Sequence, residues 1–263
     1  HQLGDRSSEG VALVNLGDIA TRRGHWLEAR QSYDSALAIF HAIGDQSSPA
    51  YALIGLGEIY MAQEQWEEAR QQFTSALQLR QQAGEEANAT QTRLQLAELD
   101  FARGKPAAAV QTEVQPLLDQ FRQRQDREGE LDAAVLLTRL LLAQRKLADA
   151  QKTIQAAEIV LQKTHDLSKR VHLELAAAEV ESAVGNSRGA IRQLRATVAQ
   201  TAKLGLLGLE LEAREALGRV EVSSDDNTAG RRELASVERE ARSKGFQLIA
   251  SRAAREIAGQ QRQ

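Results

Sequence analysis

The chain has 263 residues and a formal net charge of −3 at pH 7; 42% of its residues are hydrophobic and only 4% are aromatic. A composition this poor in aromatic residues, and dominated by alanine and leucine, favours packed helices over a β-sandwich or a β-barrel. The sequence contains no cysteine, which excludes disulfides and fits a reducing compartment, so we expect a cytoplasmic protein. It also contains no stretch of about 18 apolar residues, so we expect no membrane partner.

Small residues recur along the chain at nearly constant intervals. Successive members are 40, 40, 41, 40 and 40 positions apart: Ala29, Ala69, Ala109, Ala150, Ala190 and Gly230. Two series of glycines keep the same spacing and are expected in turns: Gly24, Gly104 and Gly185 in one series, and Gly44, Gly84, Gly205 and Gly245 in the other. A period of about 40 residues with two turns per period predicts a solenoid of helix-turn-helix repeats.

The spacing divides the sequence into six repeats within one solenoid domain, residues 1–263. The repeats are predicted at residues 10–49, 50–89, 90–130, 131–170, 171–210 and 211–250. A capping helix is predicted at residues 251–259, within a segment, 248–259, that has the pattern of one more inner helix. Such a helix would cover the last apolar face, as solenoids require.

Local signals mark the borders of the first repeat. The Gly-Asp pair at Gly4 lies forty residues before the same pair at Gly44, so we expect the first residues to be the tail of an earlier outer helix. On this interpretation the chain is a fragment of a longer protein. Ser48 is expected to start the second repeat, because serine caps free amides and the following Pro49 suits the first helical position.

The third repeat departs from the pattern of the first two. Glu113 stands where the other repeats have an apolar residue, and Pro116 stands where a second alanine is expected. Proline removes a backbone donor and clashes with the preceding turn. We therefore expect the outer helix of this repeat to be kinked or shifted by one residue.

The first two repeats carry the most specific pattern. The second contains Leu56-Gly57, Tyr60, Ala69, Phe73 and Ala76, and the first contains Leu16-Gly17, Ala29, Tyr33 and Ala36. At these positions the chain resembles the tetratricopeptide repeat family. The resemblance implies an all-α fold, a right-handed superhelix of about six helix-turn-helix repeats plus a C-terminal capping helix. The repeat is about six residues longer than the family's usual length of about 34, which we interpret as a longer second helix.

The resemblance also implies where a partner binds, because relatives hold extended peptides or helices on the concave face that their first helices line. The second, fifth, ninth and twelfth positions of each inner helix are expected to face this groove. From these positions we select as partner-binding residues Asp18, Tyr51, Ile54, Glu58, Met61, Leu94, Glu98, Phe101, Val135, Arg139 and Leu142.

The selected residues suggest what the groove would bind. Their apolar members form an expected strip, and Asp18, Glu58 and Glu98 form an expected ladder of negative charge beside it. This combination favours an amphipathic or extended segment with apolar anchors and basic flanks. The alternative is structural: the fifth and twelfth positions are half buried between neighbouring helices, and the acidic residues are only a solvated face.

The sequence offers no candidate for catalysis. The common phosphate-binding, metalloprotease and hydrolase motifs do not occur. His165 and His172 are seven residues apart, but we interpret them as surface histidines rather than as metal ligands. We therefore expect no enzyme activity, no catalytic residues, no cofactor and no metal.

The function predicted from these observations is a protein-protein interaction or scaffold module. The short sequence motifs within the repeats resemble those of tetratricopeptide arrays in bacterial signalling and regulatory proteins. One alternative is a ligand-gated sensory domain that binds a small molecule or a signalling peptide; another is self-association into a homo-oligomer. Residues 231–263 carry a charge of +4, but they contain no nucleic-acid-binding motif, so the sequence argues against a nucleic-acid partner.

Overall fold

The computed structural model describes residues 2–224 and 227–259, and these ranges contain thirteen α-helices and no strand. The helices are α1 (Gln2–Arg22), α2 (Trp26–Ala42), α3 (Pro49–Ala62), α4 (Trp66–Gln82), α5 (Glu86–Ala102), α6 (Ala107–Arg124), α7 (Arg127–Ala143), α8 (Leu147–Leu161), α9 (Leu167–Ala183), α10 (Ser187–Lys203), α11 (Leu207–Val222), α12 (Asn227–Ser243) and α13 (Gln247–Gly259). Among these helices none is long and apolar enough to cross a membrane.

The chain divides into two compact units, His1–Leu99 and Asp100–Gln263, with the boundary inside α5. In the first unit α1 packs on α2 and α3 packs on α4, while α3 also contacts α1 and α2. In the second unit each helix from α6 to α13 packs on the next one, and α7, α9, α11 and α13 also contact one another in that order. The odd-numbered (inner) helices of this unit therefore form one layer and the even-numbered (outer) helices another, which confirms the predicted all-α solenoid.

The predicted turns are confirmed by the backbone. Every glycine of the two predicted series has a positive φ, between 66° and 97°: Gly24, Gly44, Gly84, Gly104, Gly185, Gly205 and Gly245. L-residues rarely adopt this conformation, which glycine reaches without steric cost. At three of the equivalent positions that lack glycine, Glu64, Gln125 and Arg145 adopt the same conformation.

The start of α3 agrees with the predicted start signal, whereas α1 starts before the predicted first repeat. The helix α3 starts at Pro49 and Ser48 is its N-cap residue, as predicted, but the Ser48 side chain makes no capping hydrogen bond. In the preceding turn, the carboxylate of Asp45 accepts hydrogen bonds from the backbone N–H groups of Ser47 and Ser48 at 2.9 Å. The prediction of an outer-helix tail before the first repeat is wrong, because α1 is one continuous helix from Gln2 to Arg22.

The outer helix of the third repeat is shifted by one residue, which is one of the two outcomes expected. Val110 is fully buried and takes the place of the small residue, while Ala109 is exposed. Ala109 was therefore wrongly included in the periodic series. Glu113 points to solvent and accepts a hydrogen bond from Lys105 Nζ at 2.6 Å, and α6 continues through Pro116.

The two helices of a repeat differ in relative length from one repeat to the next. In the second repeat the outer helix is longer, with 17 residues in α4 against 14 in α3. In the fifth repeat α9 and α10 both have 17 residues. That the additional residues of the repeat lengthen its second helix stays a prediction.

The core of the first unit depends on an aromatic ring held between inner helices. Tyr33 of α2 is fully buried, and a Cβ atom added to Gly17 of α1 would come within 2.6 Å of its ring. A Cβ atom at Gly55 of α3 would overlap the same ring even more closely. Glycine at these two positions therefore lets α1 and α3 both approach the ring.

Replacing Gly55 by alanine is expected to destabilise the first unit. The added methyl group would force the Tyr33 ring out of position, and overpacking of this kind costs about 1–3 kcal/mol. The loss should be visible as a lower midpoint in thermal unfolding followed by circular dichroism. The control is Gly259→Ala, where a Cβ atom meets nothing within 4 Å; an equal effect of both substitutions would contradict the packing argument.

Candidate partner-binding clefts

A cleft of about 280 Å³ lies in the first unit and is here called the N-terminal cleft. The inner helices α1, α3 and α5 supply all of its lining residues except one, which comes from α4. The lining residues are Val14, Asp18, Thr21, Arg22, Tyr51, Ile54, Gly55, Glu58, Arg80, Gln91 and Gln95.

The acidic side chains of the N-terminal cleft are tied to neighbouring polar groups. Tyr33 Oη donates a hydrogen bond to Asp18 Oδ1 at 2.6 Å. Burial raises the pKa of Asp18 above its ordinary value, although this hydrogen bond acts in the opposite direction. The Glu58 carboxylate accepts a hydrogen bond from Gln95 Nε2 at 3.2 Å. Part of the negative charge expected in the groove is therefore already engaged within the protein.

A second cleft, of about 340 Å³, lies in the second unit and is here called the C-terminal cleft. Its lining residues all come from odd-numbered helices, from the end of α5 to α13. They are Phe101, Arg139, Leu142, Ala143, Leu175, Glu179, Glu212, Glu215, Ala216, Arg219, Arg252 and Glu256. The wall thus combines apolar side chains with charges of both signs.

An ion-pair network centred on Arg219 forms part of this wall. Its guanidinium lies 2.6 Å from Glu215 and 3.2 Å from Glu179. Glu215 also lies 3.5 Å from Arg252, and its side chain is only 3% exposed. Burial alone raises the pKa of Glu215, but the charges of Arg219 and Arg252 outweigh it and hold the pKa below its ordinary value. The carboxylate is therefore ionised at neutral pH and fixes both arginines.

A second ion pair, between α9 and α11, borders the same cleft. His172 Nε2 lies 3.2 Å from Glu212 Oε2, and the side chain of His172 is 34% exposed. Burial lowers the pKa of His172, but the hydrogen bond and charge of Glu212 outweigh this effect and raise it above 6.5, with Arg139 opposing and Asp132 adding to the rise. Burial raises the pKa of Glu212, yet His172 outweighs it and brings the pKa to about 2.

The structure distributes the selected groove residues over several environments. Those that line the N-terminal cleft are Asp18, Tyr51, Ile54 and Glu58. Those that line the C-terminal cleft are Phe101, Arg139 and Leu142. Leu94 and Val135 are only 3% and 7% exposed, so they are core residues that offer almost no surface to a partner. Met61 and Glu98 line neither cleft. A binding role for the cleft residues stays a prediction.

Several lining residues were not selected from the sequence. Arg252 lies forty residues after Glu212, so continuing the repeat count into α13 would have found it. Arg80 belongs to an outer helix, whereas the groove positions were counted on inner helices only. It does lie at a repeat-equivalent position, forty residues after Phe40. Neither Gln95 nor Glu256 occupies a position that the count assigns to the groove.

The described residues contain no group of three or more histidine, cysteine, aspartate or glutamate side chains that could hold a metal ion.

The comparisons agree with the class of protein that the helices define, a solenoid of helix-turn-helix repeats. Residues 48–115 match the model of the tetratricopeptide repeat family, which confirms the resemblance inferred from the sequence. No curated protein sequence matches the chain significantly.

Two solved structures are similar in fold over nearly the whole chain. One is Rap protein complexed with competence and sporulation factor, which is 13% identical with a TM-score of 0.64; the match covers 95% of this chain and 74% of that one. The other is yeast Tom70, which is 14% identical with a TM-score of 0.51; the match covers 98% of this chain and 55% of that one. At these identities the likeness concerns the fold alone, which is a helical solenoid.

The pair of His172 and Glu212 predicts a pH dependence of stability. Because the pKa of His172 is raised, the pair stabilises the folded state fully below pH 6.5, and this contribution is lost as the pH rises through the raised value. Because the pKa of Glu212 is lowered to about 2, its contribution is present above pH 4.5 and is lost as the pH falls towards 2.

Replacing His172 by glutamine should therefore lower the melting temperature by a few degrees at about pH 5.5 and much less at about pH 9. Melting curves of the wild type and the variant at both pH values test this. The matched control is His165→Gln, since His165 is exposed in the same unit. A difference between the wild type and His172→Gln that does not change with pH would contradict the assigned ion pair.

Proposed function

We propose that the chain is a protein-interaction module whose inner-helix clefts bind a peptide or a helix of a partner protein, as part of a signalling or regulatory protein. A cytoplasmic location is included in this proposal, because a chain without cysteine suits a reducing compartment.

The observation that carries the proposal is the composition of the C-terminal cleft. Helices α7, α9, α11 and α13 all contribute side chains to it, and no outer helix does so among the residues that line it. Phe101 and Leu142 present apolar surface beside the network of Arg219, so a segment with one apolar and one polar side would match the wall. The likeness to Rap, whose structure holds competence and sporulation factor, supports a binding role for this fold.

A ligand-gated sensory domain is the second candidate. The volume of the C-terminal cleft, about 340 Å³, falls within the range of clefts that bind small molecules. Self-association through the apolar strip has less support, because Leu94 and Val135 are core residues.

Selection from a phage-displayed library of random 12-residue peptides tests peptide binding and does not require the partner to be identified first. The chain is immobilised, enriched peptides are synthesised, and their affinity is measured by fluorescence anisotropy. Leu142→Glu, which places a charge on the apolar side of the C-terminal cleft, is expected to weaken the peptides that bind there at least tenfold.

The matched control is Ile159→Glu on the outer helix α8, because Ile159 is 60% exposed and does not line the cleft. Circular dichroism checks that both variants are folded. Selection without enrichment would contradict peptide binding, and equal losses in both variants would contradict the assigned cleft. A different result would favour the sensory alternative: no peptide is enriched, but a compound from a metabolite library raises the melting temperature of the wild type and not that of Leu142→Glu.

A further inference from the structure

Arg80 of α4 occupies a position that holds a core aromatic residue in the neighbouring repeats. Phe40 lies forty residues before it, and Phe121 lies 41 residues after it, in agreement with the one-residue shift of α6. Both phenylalanines are fully buried, and Arg80 itself is only 4% exposed. A cation has thus replaced an aromatic ring at a buried site, where arginine is rarely found without a charged partner.

The guanidinium of Arg80 is held by neutral groups. Its Nη1 donates hydrogen bonds to the backbone oxygen of Asn88 at 2.7 Å and to Thr92 Oγ1 at 2.6 Å. Its carbon Cζ lies 5.3 Å from the centre of the Tyr51 ring, which is 46% exposed at the cleft. These contacts fix the orientation of the side chain without neutralising its charge.

One edge of the guanidinium has no partner. Within the described ranges, the hydrogen bonds of Arg80 all leave from Nη1, its buried Nε has no acceptor, and no carboxylate lies within 4 Å. The Nε and Nη2 atoms form the edge that matches the two oxygens of a carboxylate. Burial lowers the pKa of Arg80 below its ordinary value, and the charges of Tyr51 and Glu85 offset this effect only in part.

The nearby carboxylates are engaged elsewhere. Glu85 accepts hydrogen bonds from Asn88 Nδ2 at 2.9 Å and from Ser47 Oγ. Within the cleft, Asp18 accepts from Tyr33 and Glu58 accepts from Gln95. Within the described part of the protein, no carboxylate therefore makes a direct ion pair with Arg80, although the charge of Glu85 acts on it from a greater distance.

We propose that Arg80 is an anchor for an acidic side chain, aspartate or glutamate, of a segment bound in the N-terminal cleft. Arg80 is the only residue from an outer helix among those that line this cleft. The inference rests on the proposed function and adds the chemistry of one recognised residue. The bound segment places its carboxylate against Nη2, over the exposed ring of Tyr51, because Nε is buried.

The test uses the Nε–H resonance of Arg80 in a proton–nitrogen NMR spectrum of the whole chain, assigned by its absence in Arg80→Phe. The probe is acetyl-glutamate amide, with acetyl-glutamine amide as its neutral equivalent. The resonance is expected to shift in a saturable way with the first probe and not with the second. No shift, or equal shifts with both probes, would overturn the proposal. An equal shift with inorganic phosphate at the same ionic strength would also overturn it, since any anion would then bind.

The 12-residue peptides from the library provide a second readout. Arg80→Phe restores the residue type of the equivalent positions, so it is expected to fold and to weaken peptides that contain an essential aspartate or glutamate at least tenfold. The matched control is Arg30→Phe, because Arg30 also stacks on a tyrosine, Tyr60, at 5.3 Å but does not line the cleft.

The outcomes separate this inference from the proposed function. Peptides that photo-crosslink to the walls of the N-terminal cleft, but are indifferent to Arg80→Phe and to loss of their acidic residues, would overturn the inference and leave the proposed function standing. A saturable shift of the Arg80 resonance without any enriched peptide would support the carboxylate site and contradict the proposed function.

Discussion

The close approach of inner helices to the aromatic rings of outer helices is the constraint on which the architecture depends. Tyr33 fits between α1 and α3 only because Gly17 and Gly55 lack a side chain. Phe73 packs in the same way on Gly57, where an added Cβ atom would come within 2.5 Å of the ring. Each ring thereby ties an outer helix to the inner layer, and in later repeats the fully buried Leu194 and Leu234 take the equivalent position.

This packing decides which surface remains for binding. The apolar face of each outer helix packs into the core, as the burial of Phe73 and Leu194 illustrates. The inner helices keep a second face that carries polar and charged side chains into the clefts. In the C-terminal cleft these charges neutralise one another around Arg219, so the wall is preorganised, and in the N-terminal cleft Arg80 lacks such a partner.

The repeats, their turns and the inner helices could be predicted from the sequence, because periodic glycines and small residues reflect local backbone and packing requirements. The spacing pointed to the wrong residue in the third repeat, where one residue is inserted. Ala109 lies forty residues after Ala69, but Val110 is the residue that is buried. The spacing also could not show whether an inner-helix residue such as Leu94 is exposed or buried, because burial depends on the neighbouring helix. His172 and Glu212 occupy the same position of successive repeats, forty residues apart, but their pairing depends on how the two inner helices pack and does not follow from the spacing alone.

The central claim is that a partner binds to the inner helices. The most direct test is photo-crosslinking of a library-selected peptide that carries a benzophenone side chain, with the crosslinked residues mapped by mass spectrometry. The account predicts crosslinks to odd-numbered helices, within the walls of the N-terminal or the C-terminal cleft. Crosslinks confined to the outer helices α8, α10 and α12 would contradict it.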